Sequence, residues 1–270
     1  VSMLRGADAM EVVGTVASLW RYPVKSMAGE QVTEAFVGYA GVYGDRCYAF
    51  LNKRAPAGFP FLTGRTRPQM LLYRASFRDT ALAARPPNQA DAEKLGPGIT
   101  PVFPPMLAVD VRTASGETYA ADDPALIAAL AGKGAEAEDL SLARSDRALT
   151  DCRPLSLISN ATVGQLGDET GLALDARRFR ANIYADFASG QGFAEDAYVG
   201  RKLRIGERAV IAVLDRDPRC KMISLDPETA EENSAVFRNV AQAHGGNAGV
   251  YCAVLTEGMV RAGDPIAVVD

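Results

Sequence analysis

The sequence predicts a mainly β protein, a barrel with attached helices, and three observations carry that expectation. Short apolar runs rich in β-branched and aromatic residues recur along the chain, separated by Gly- and Pro-rich turns. Helical spacing is confined to brief stretches such as SAVFRNVAQA. No regular strand–helix alternation is present, and GYAGVYG is not a dinucleotide-binding G-x-G-x-x-G, so a doubly wound parallel sheet does not fit.

The first ten residues, VSMLRGADAM, have no apolar core of signal-peptide length, and Arg5 and Asp8 interrupt them. A disordered lead-in is expected there. Residues 11 to 22, EVVGTVASLWRY, read as a strand that Pro23 ends, which leaves Lys25 and Ser26 in the following loop. In DRCYAFL, residues 45 to 51, alternation puts Arg46, Tyr48 and Phe50 on one face and Cys47, Ala49 and Leu51 on the other. Arg65 falls in LTGRTRP, ahead of an apolar run, MLLY. Residues 85 to 105 are dense in Pro and Gly and predict an irregular loop. MLAVDVRTASGETYAA has the pattern of a hairpin turning at SGE. DDPALIAAL predicts a short helix with Asp122 or Asp123 at its N-cap and Pro124 in its first turn.

In the second half, Ser159 or Asn160 caps a helix running to about Glu169. Strands are expected at FRANIYADF, RKLRIG and RAVIAVL, and a helix at SAVFRNVAQA. GVYCAVLTEGMVRAGDPIAVVD reads as a closing hairpin with GMVRAG in its turn.

Composition narrows the function. With 48% hydrophobic and 23% charged residues, 270 residues can bury one large core or two smaller ones. A net charge of -4 argues against nucleic acid as a partner. No run approaches the roughly 18 apolar residues of a membrane helix, so no membrane partner is expected and the cytoplasm is the expected compartment. The four cysteines, Cys47, Cys152, Cys220 and Cys252, form no C-x-x-C pair, which leaves a zinc ribbon unsupported. The single histidine, His244, rules out metal sites built on several imidazoles and fits a place at a helix end.

Cys220, in DRDPRCK, follows an apolar strand and is flanked by Arg216, Arg219 and Lys221, with Asp215 and Asp217 partly opposing them. A thiolate there can ligate a soft or high-valent metal, attack an electrophile or carry sulfur; a buried inert cysteine is the other reading. Cys47 and Cys252 lie in apolar strands and read as packing residues, while Cys152 stays open. In FRANIYAD, alternation points Phe179, Ala181, Ile183 and Ala185 one way and Arg180, Asn182, Tyr184 and Asp186 the other. A guanidinium beside an amide suits an anion and a planar heterocycle; a solvated sheet face is the alternative. Lys25 with Ser26, Arg46 and Arg65 are each readable as anion contacts or as surface charge.

The pieces GTVASLWRYPVKS, GDRCYAF, TGRTRP, LSLISNATVGQL, RFRANI, RCKMISLDPET and GMVRAGDPIAV, in that order, span the chain from about Val12 to its end. In them the chain resembles the MOSC-domain proteins, and within these the branch of the mitochondrial amidoxime-reducing component and its bacterial relatives. The resemblance implies a MOSC-type β-barrel with an interleaved N-terminal β region, divided here as lead-in 1–10, N-terminal β region 11–120 and MOSC domain 121–270. It implies molybdenum cofactor of the molybdopterin type, with Cys220 as the catalytic thiolate ligand of molybdenum. Lys25 and Ser26 match the family's P-V-K-S pair near the pterin; Arg46, Arg65, Arg180 and Asn182 match polar residues lining the cofactor pocket, and Ser159 a hydroxylated residue near it. The implied activity is an oxidoreductase reducing N-oxygenated small molecules with electrons from a separate donor protein. A sulfur or cofactor carrier using the Cys220 thiolate is the alternative. Neither pyridoxal phosphate nor an iron–sulfur cluster is expected in this chain. Pro218 departs from the serine that amidoxime-reducing relatives carry two residues before the ligand cysteine, which removes a hydroxyl and stiffens the loop.

Overall fold

The computed structural model describes residues 11–56, 58–95, 107–132 and 137–269; the expected lead-in lies outside them. The chain runs β1 (Val12–Arg21), β2 (Glu30–Val32), β3 (Glu34–Gly38), β4 (Gly41–Val42), β5 (Tyr48–Asn52), β6 (Arg74–Phe77), α1 (Thr80–Ala84), α2 (Gln89–Leu95), β7 (Val109–Arg112), β8 (Thr118–Ala120), α3 (Pro124–Ala131) and β9 (Leu140–Arg144). It continues through β10 (Leu155–Ser159), α4 (Asn160–Thr170), β11 (Ile183–Phe187), β12 (Lys202–Ile205), β13 (Ala209–Pro218), α5 (Ala235–Ala243), β14 (Asn247–Thr256), β15 (Gly258–Arg261) and β16 (Pro265–Val269).

Seven strands close a barrel in the order β11-β10-β14-β13-β12-β16-β1, with β1 returning to β11 and β2 added beside β1. Strand β1 serves three partners because it is long and irregular. Val12–Thr15 faces β16, Gly14–Leu19 faces β11, and Leu19–Arg21 faces β2. Gly14 sits at the register shift against β16, where a Cβ would lie 2.6 Å from the Asp186 carbonyl oxygen. Only glycine fits that approach. The barrel interior is packed with side chains such as Val16, Leu157, Ile183, Ile211, Val250 and Ile266.

A second core, built on Phe36, Phe50, Met70, Phe77 and Leu126, lies among the smaller sheets β15-β3-β4, β5-β9 and β6-β7-β8. Helices α4 and α5 cover the outside of the barrel through Leu166, Val236 and Val240, packed on Ile158 and Tyr184. Strands β10 and β11 are parallel, so the chain must cross over between them, and α4 lies on that crossover. Ser159 caps α4 by accepting from Ala161 N at 3.1 Å, and Gly171 ends it with φ +66°. The hairpin at β7–β8, the Asp123 cap of α3 and the helix α5 follow the sequence expectation. His244 follows α5, with Nε2 2.7 Å from Glu169 Oε2 and its ring stacked on Phe193.

Four expectations are corrected. GMVRAG is no hairpin turn: Gly258–Arg261 is itself a strand, β15, paired with β3, and β14 pairs with β10 and β13 rather than β16. The stretch 85–105 contains helix α2 at Gln89–Leu95, whose QADAEKL sequence is rich in helix formers; residues 96–106 lie outside the described residues. Strand β11 starts at Ile183, because Ala176–Phe179 forms a 3-10 turn and Arg180 takes a left-handed conformation. Strand β5 starts at Tyr48, because Arg46 is left-handed as well.

Candidate functional site

One cleft lies between the mouth of the barrel and the second core. It gathers Lys25, Ser26, Arg46, Arg65, Arg180, Asn182 and Cys220, which are far apart in sequence. Ser159 does not join them: it is buried, its hydroxyl is used by the α4 cap, and its N–H donates to Glu195 Oε1. Among the described lining residues, six basic side chains face two carboxylates, Asp151 and Asp217.

Local backbone delivers these groups. Pro23 stops β1, and the loop is pinned as Lys25 N donates to Tyr48 O at 2.8 Å and Arg46 N donates to Tyr22 O at 2.7 Å. Five non-glycine residues among those described have positive φ, and three of them, Ser26, Arg46 and Arg180, line this cleft. Such conformations cost about 1 to 2 kcal/mol for a side-chain-bearing residue and concentrate at functional sites. They also explain why strand alternation misplaces Arg46 and Arg180, which reach the cleft from turns.

Tyr22 organises two partly buried arginines. The Arg46 guanidinium lies 4.6 Å and that of Arg180 4.3 Å from its ring centroid. Tyr22 Oη donates to Ala181 O at 3.2 Å, and the buried Asp45 accepts from Tyr22 N at 2.8 Å while pairing with Arg46. Arg180 Nη1 donates to Met27 O at 2.8 Å, whereas Nη2 has no hydrogen-bond partner among the described residues. Burial, reinforced by the Arg46 charge, pulls the Arg180 guanidinium down to about 10. The site therefore carries positive charge that its own residues leave under-compensated.

On the opposite rim, Lys25 Nζ donates to Leu149 O at 2.7 Å and pairs with Asp151 Oδ1, while Arg65 Nη2 lies 3.6 Å from Asp151 Oδ2. Burial lowers the Lys25 ammonium below its usual range, against the pull of Asp151. Asn182 is almost wholly buried. Its Oδ1 accepts from Ser156 N and Oγ, and its Nδ2 donates to Trp20 O, so it joins β1 to β10 at the floor of the cleft.

Cys220 is half-exposed on the wall where β13 ends and has no disulfide partner. The cations flanking it in sequence each have a carboxylate: Arg216 with Asp196, Arg219 with Asp217 and Lys221 with Glu232. Arg219 also donates from Nε to Ala248 O and from Nη1 to Phe179 O. Cationic groups facing the cleft opposite this wall thus come from remote segments. Burial pushes the neighbouring Asp217 carboxyl upward, opposed by Arg219. Cys47 and Cys252 are buried, and burial raises both thiols, Cys47 to about 12. Sequence reasoning missed Tyr22, Asp45 and Asp151; the acid–base adjacency of Asp45 and Arg46 was the one available signal.

A half-exposed thiol that shares a cleft with partly buried cations suits an anionic ligand that carries a thiophilic centre. Among the described residues no three His, Cys, Asp or Glu side chains cluster as a metal cage. A metal held here would take one protein sulfur and bring its other ligands with it. Residues 13–127 match the MOSC N-terminal beta barrel domain, and residues 144–267 match the MOSC domain. The chain is 27% identical to mitochondrial amidoxime-reducing component 1 of Mus musculus, over 95% of this chain and 83% of that protein. It is 25% identical to mitochondrial amidoxime reducing component 2 of Bos taurus, over 82% and 69% respectively. Among solved structures it is similar to the YUAD protein from Bacillus subtilis, with 14% identity, a TM-score of 0.47 and 95% of both chains covered.

Proposed function

The chain belongs to the MOSC-domain proteins, carrying both the N-terminal and the MOSC domain, and on that premise we propose a molybdenum-cofactor oxidoreductase that reduces N-oxygenated small molecules. One observation supports this most: a free thiol, Cys220, shares a cleft with Lys25, Arg46, Arg65 and Arg180, and Arg180 Nη2 is left without a hydrogen-bond partner among the described residues. A phosphate-bearing pterin would supply what these groups lack.

Cys220 Sγ would be the protein ligand of molybdenum. Lys25, Arg46, Arg65 and Arg180 would hold the anionic part of the cofactor, with Ser26 and Asn182 lining the same cleft. When bound, the cofactor supplies a two-electron couple for breaking an N–O bond: an N-hydroxyamidine, two electrons and two protons give the amidine and water. The electrons come from a separate donor protein. Phe179 and Met222 line the cleft with Cys220, and their apolar surface would limit water beside a bound ligand. Burial pushes the Asp217 carboxyl upward while its ion pair with Arg219 opposes that shift, so the two hold each other beside Cys220.

Protein made in a cofactor-competent host is expected to contain molybdenum by elemental analysis and pterin by fluorescence. It should reduce an N-hydroxylated amidine with an artificial donor. Cys220→Ala should lose molybdenum and turnover while its far-UV circular dichroism stays that of the unsubstituted chain. Bound cofactor without turnover from any donor would replace this reading with a carrier that delivers cofactor or sulfur. Absence of both metal and pterin would end it.

A further inference from the structure

Beside the cleft runs a groove of about 660 Å³, and the two share Thr63 and Arg65. Its wall carries Phe59 and Phe61, packed edge to face with centroids 5.4 Å apart. Both rings are half-buried, and neither belongs to any of the three hydrophobic cores. Phenyl rings ordinarily give large burial energies, so two left half-open beside a candidate active site are available to a ligand.

The rings are held firmly. Asn52 N donates to Pro60 O at 2.7 Å, Leu62 N donates to Phe50 O at 2.8 Å, and Phe61 bridges to Leu51 at the edge of β5. Lys25 Nζ lies 5.1 Å from the Phe61 centroid, and the Arg65 guanidinium lies 4.5 Å from that of Phe59. The cations lining the cleft and the rings lining the groove thus form one continuous wall. A ligand with its polar end in the cleft can extend its body only a short way before meeting phenyl surface.

We propose that this groove is the specificity subsite for the non-reacting part of the substrate, and that it selects N-oxygenated molecules with a flat aromatic body over aliphatic ones. This rests on the reductase reading above. Edge-to-face contact with two fixed rings favours an aromatic body, whereas a short aliphatic one leaves them wet.

Phe59→Leu and Phe61→Leu keep apolar bulk and remove the rings, and their molybdenum and pterin contents are measured first. With N-hydroxybenzamidine the KM is expected to rise about fivefold to tenfold in either variant at similar kcat per molybdenum. With N-hydroxyacetamidine it should change less than twofold. Equal changes for the two substrates, or none, would overturn the subsite. Should the protein hold no cofactor, the reductase reading has failed, and ligand-observed NMR with N-hydroxybenzamidine on the purified chain then decides. Binding weakened by both substitutions keeps the groove, and binding unaffected by them, or no binding, rejects it.

Discussion

Ser26, Arg46 and Arg180 hold left-handed backbones with no glycine to ease them, and each ends in the cleft. Alternation arguments over 45–51 and 179–186 fail at these positions, because a left-handed residue before a strand resets which face each side chain takes. Lys25 and Ser26 were legible, since Pro23 ends the strand by its own chemistry. Asp151 was not legible, because its partners Lys25 and Arg65 lie more than eighty residues earlier. Its carboxylate occupies two of the cations that an incoming anion would use. Asp151→Asn should therefore tighten binding of inorganic pyrophosphate by roughly threefold to tenfold, the range that two partly exposed ion pairs allow. Isothermal titration would read this, and weaker binding would show that Asp151 orders the cations rather than competing for them.

At the scale of elements, the barrel closes where β1 meets β11, and Asn182 fastens that seam to β10 through Ser156 and Trp20. Asn182→Ala would leave buried backbone groups unpaired and should lower stability by about 2 to 3 kcal/mol in urea unfolding. A loss below about 0.5 kcal/mol would mean that water replaces the amide. Most strands and helices were readable because their periodicity is local. GMVRAG was misread because a strand–turn pattern does not say which strand is the neighbour: β15 leaves the barrel to pair with β3, more than two hundred residues away in sequence. Ser159 was readable as a helix cap, and that task uses its hydroxyl.

Across the whole molecule, a chain of net charge -4 gathers six basic side chains around one cleft. Burial depresses both Lys25 and Arg180. A base depressed on folding gives its full stability only above its unfolded pKa and loses it as pH falls through the folded value. At pH 7, well below the folded value of about 10 for Arg180, that contribution has been lost. An anion in the cleft should restore it. Pyrophosphate at about ten times its Kd is expected to raise Tm by roughly 3 to 6 °C over chloride at equal ionic strength, and Arg180→Gln should at least halve the rise. No differential effect would mean that the cleft cations are already neutralised.

The linear chain alone determined that this is a mainly β protein with short helices, that one histidine cannot build a metal site of several imidazoles, and that seven ordered motifs link it to one family. Local propensity and composition suffice for the first two, and the third rests on a resemblance of ordered motifs. Only the tertiary structure decided that Lys25, Arg46, Arg65, Arg180 and Cys220 share a cleft while Ser159 stands apart. It also turned the sequence neighbours Arg216, Arg219 and Lys221 to carboxylates of their own. The physical reason is that ion pairing and ring stacking depend on distance in space, which barrel closure sets and residue order does not.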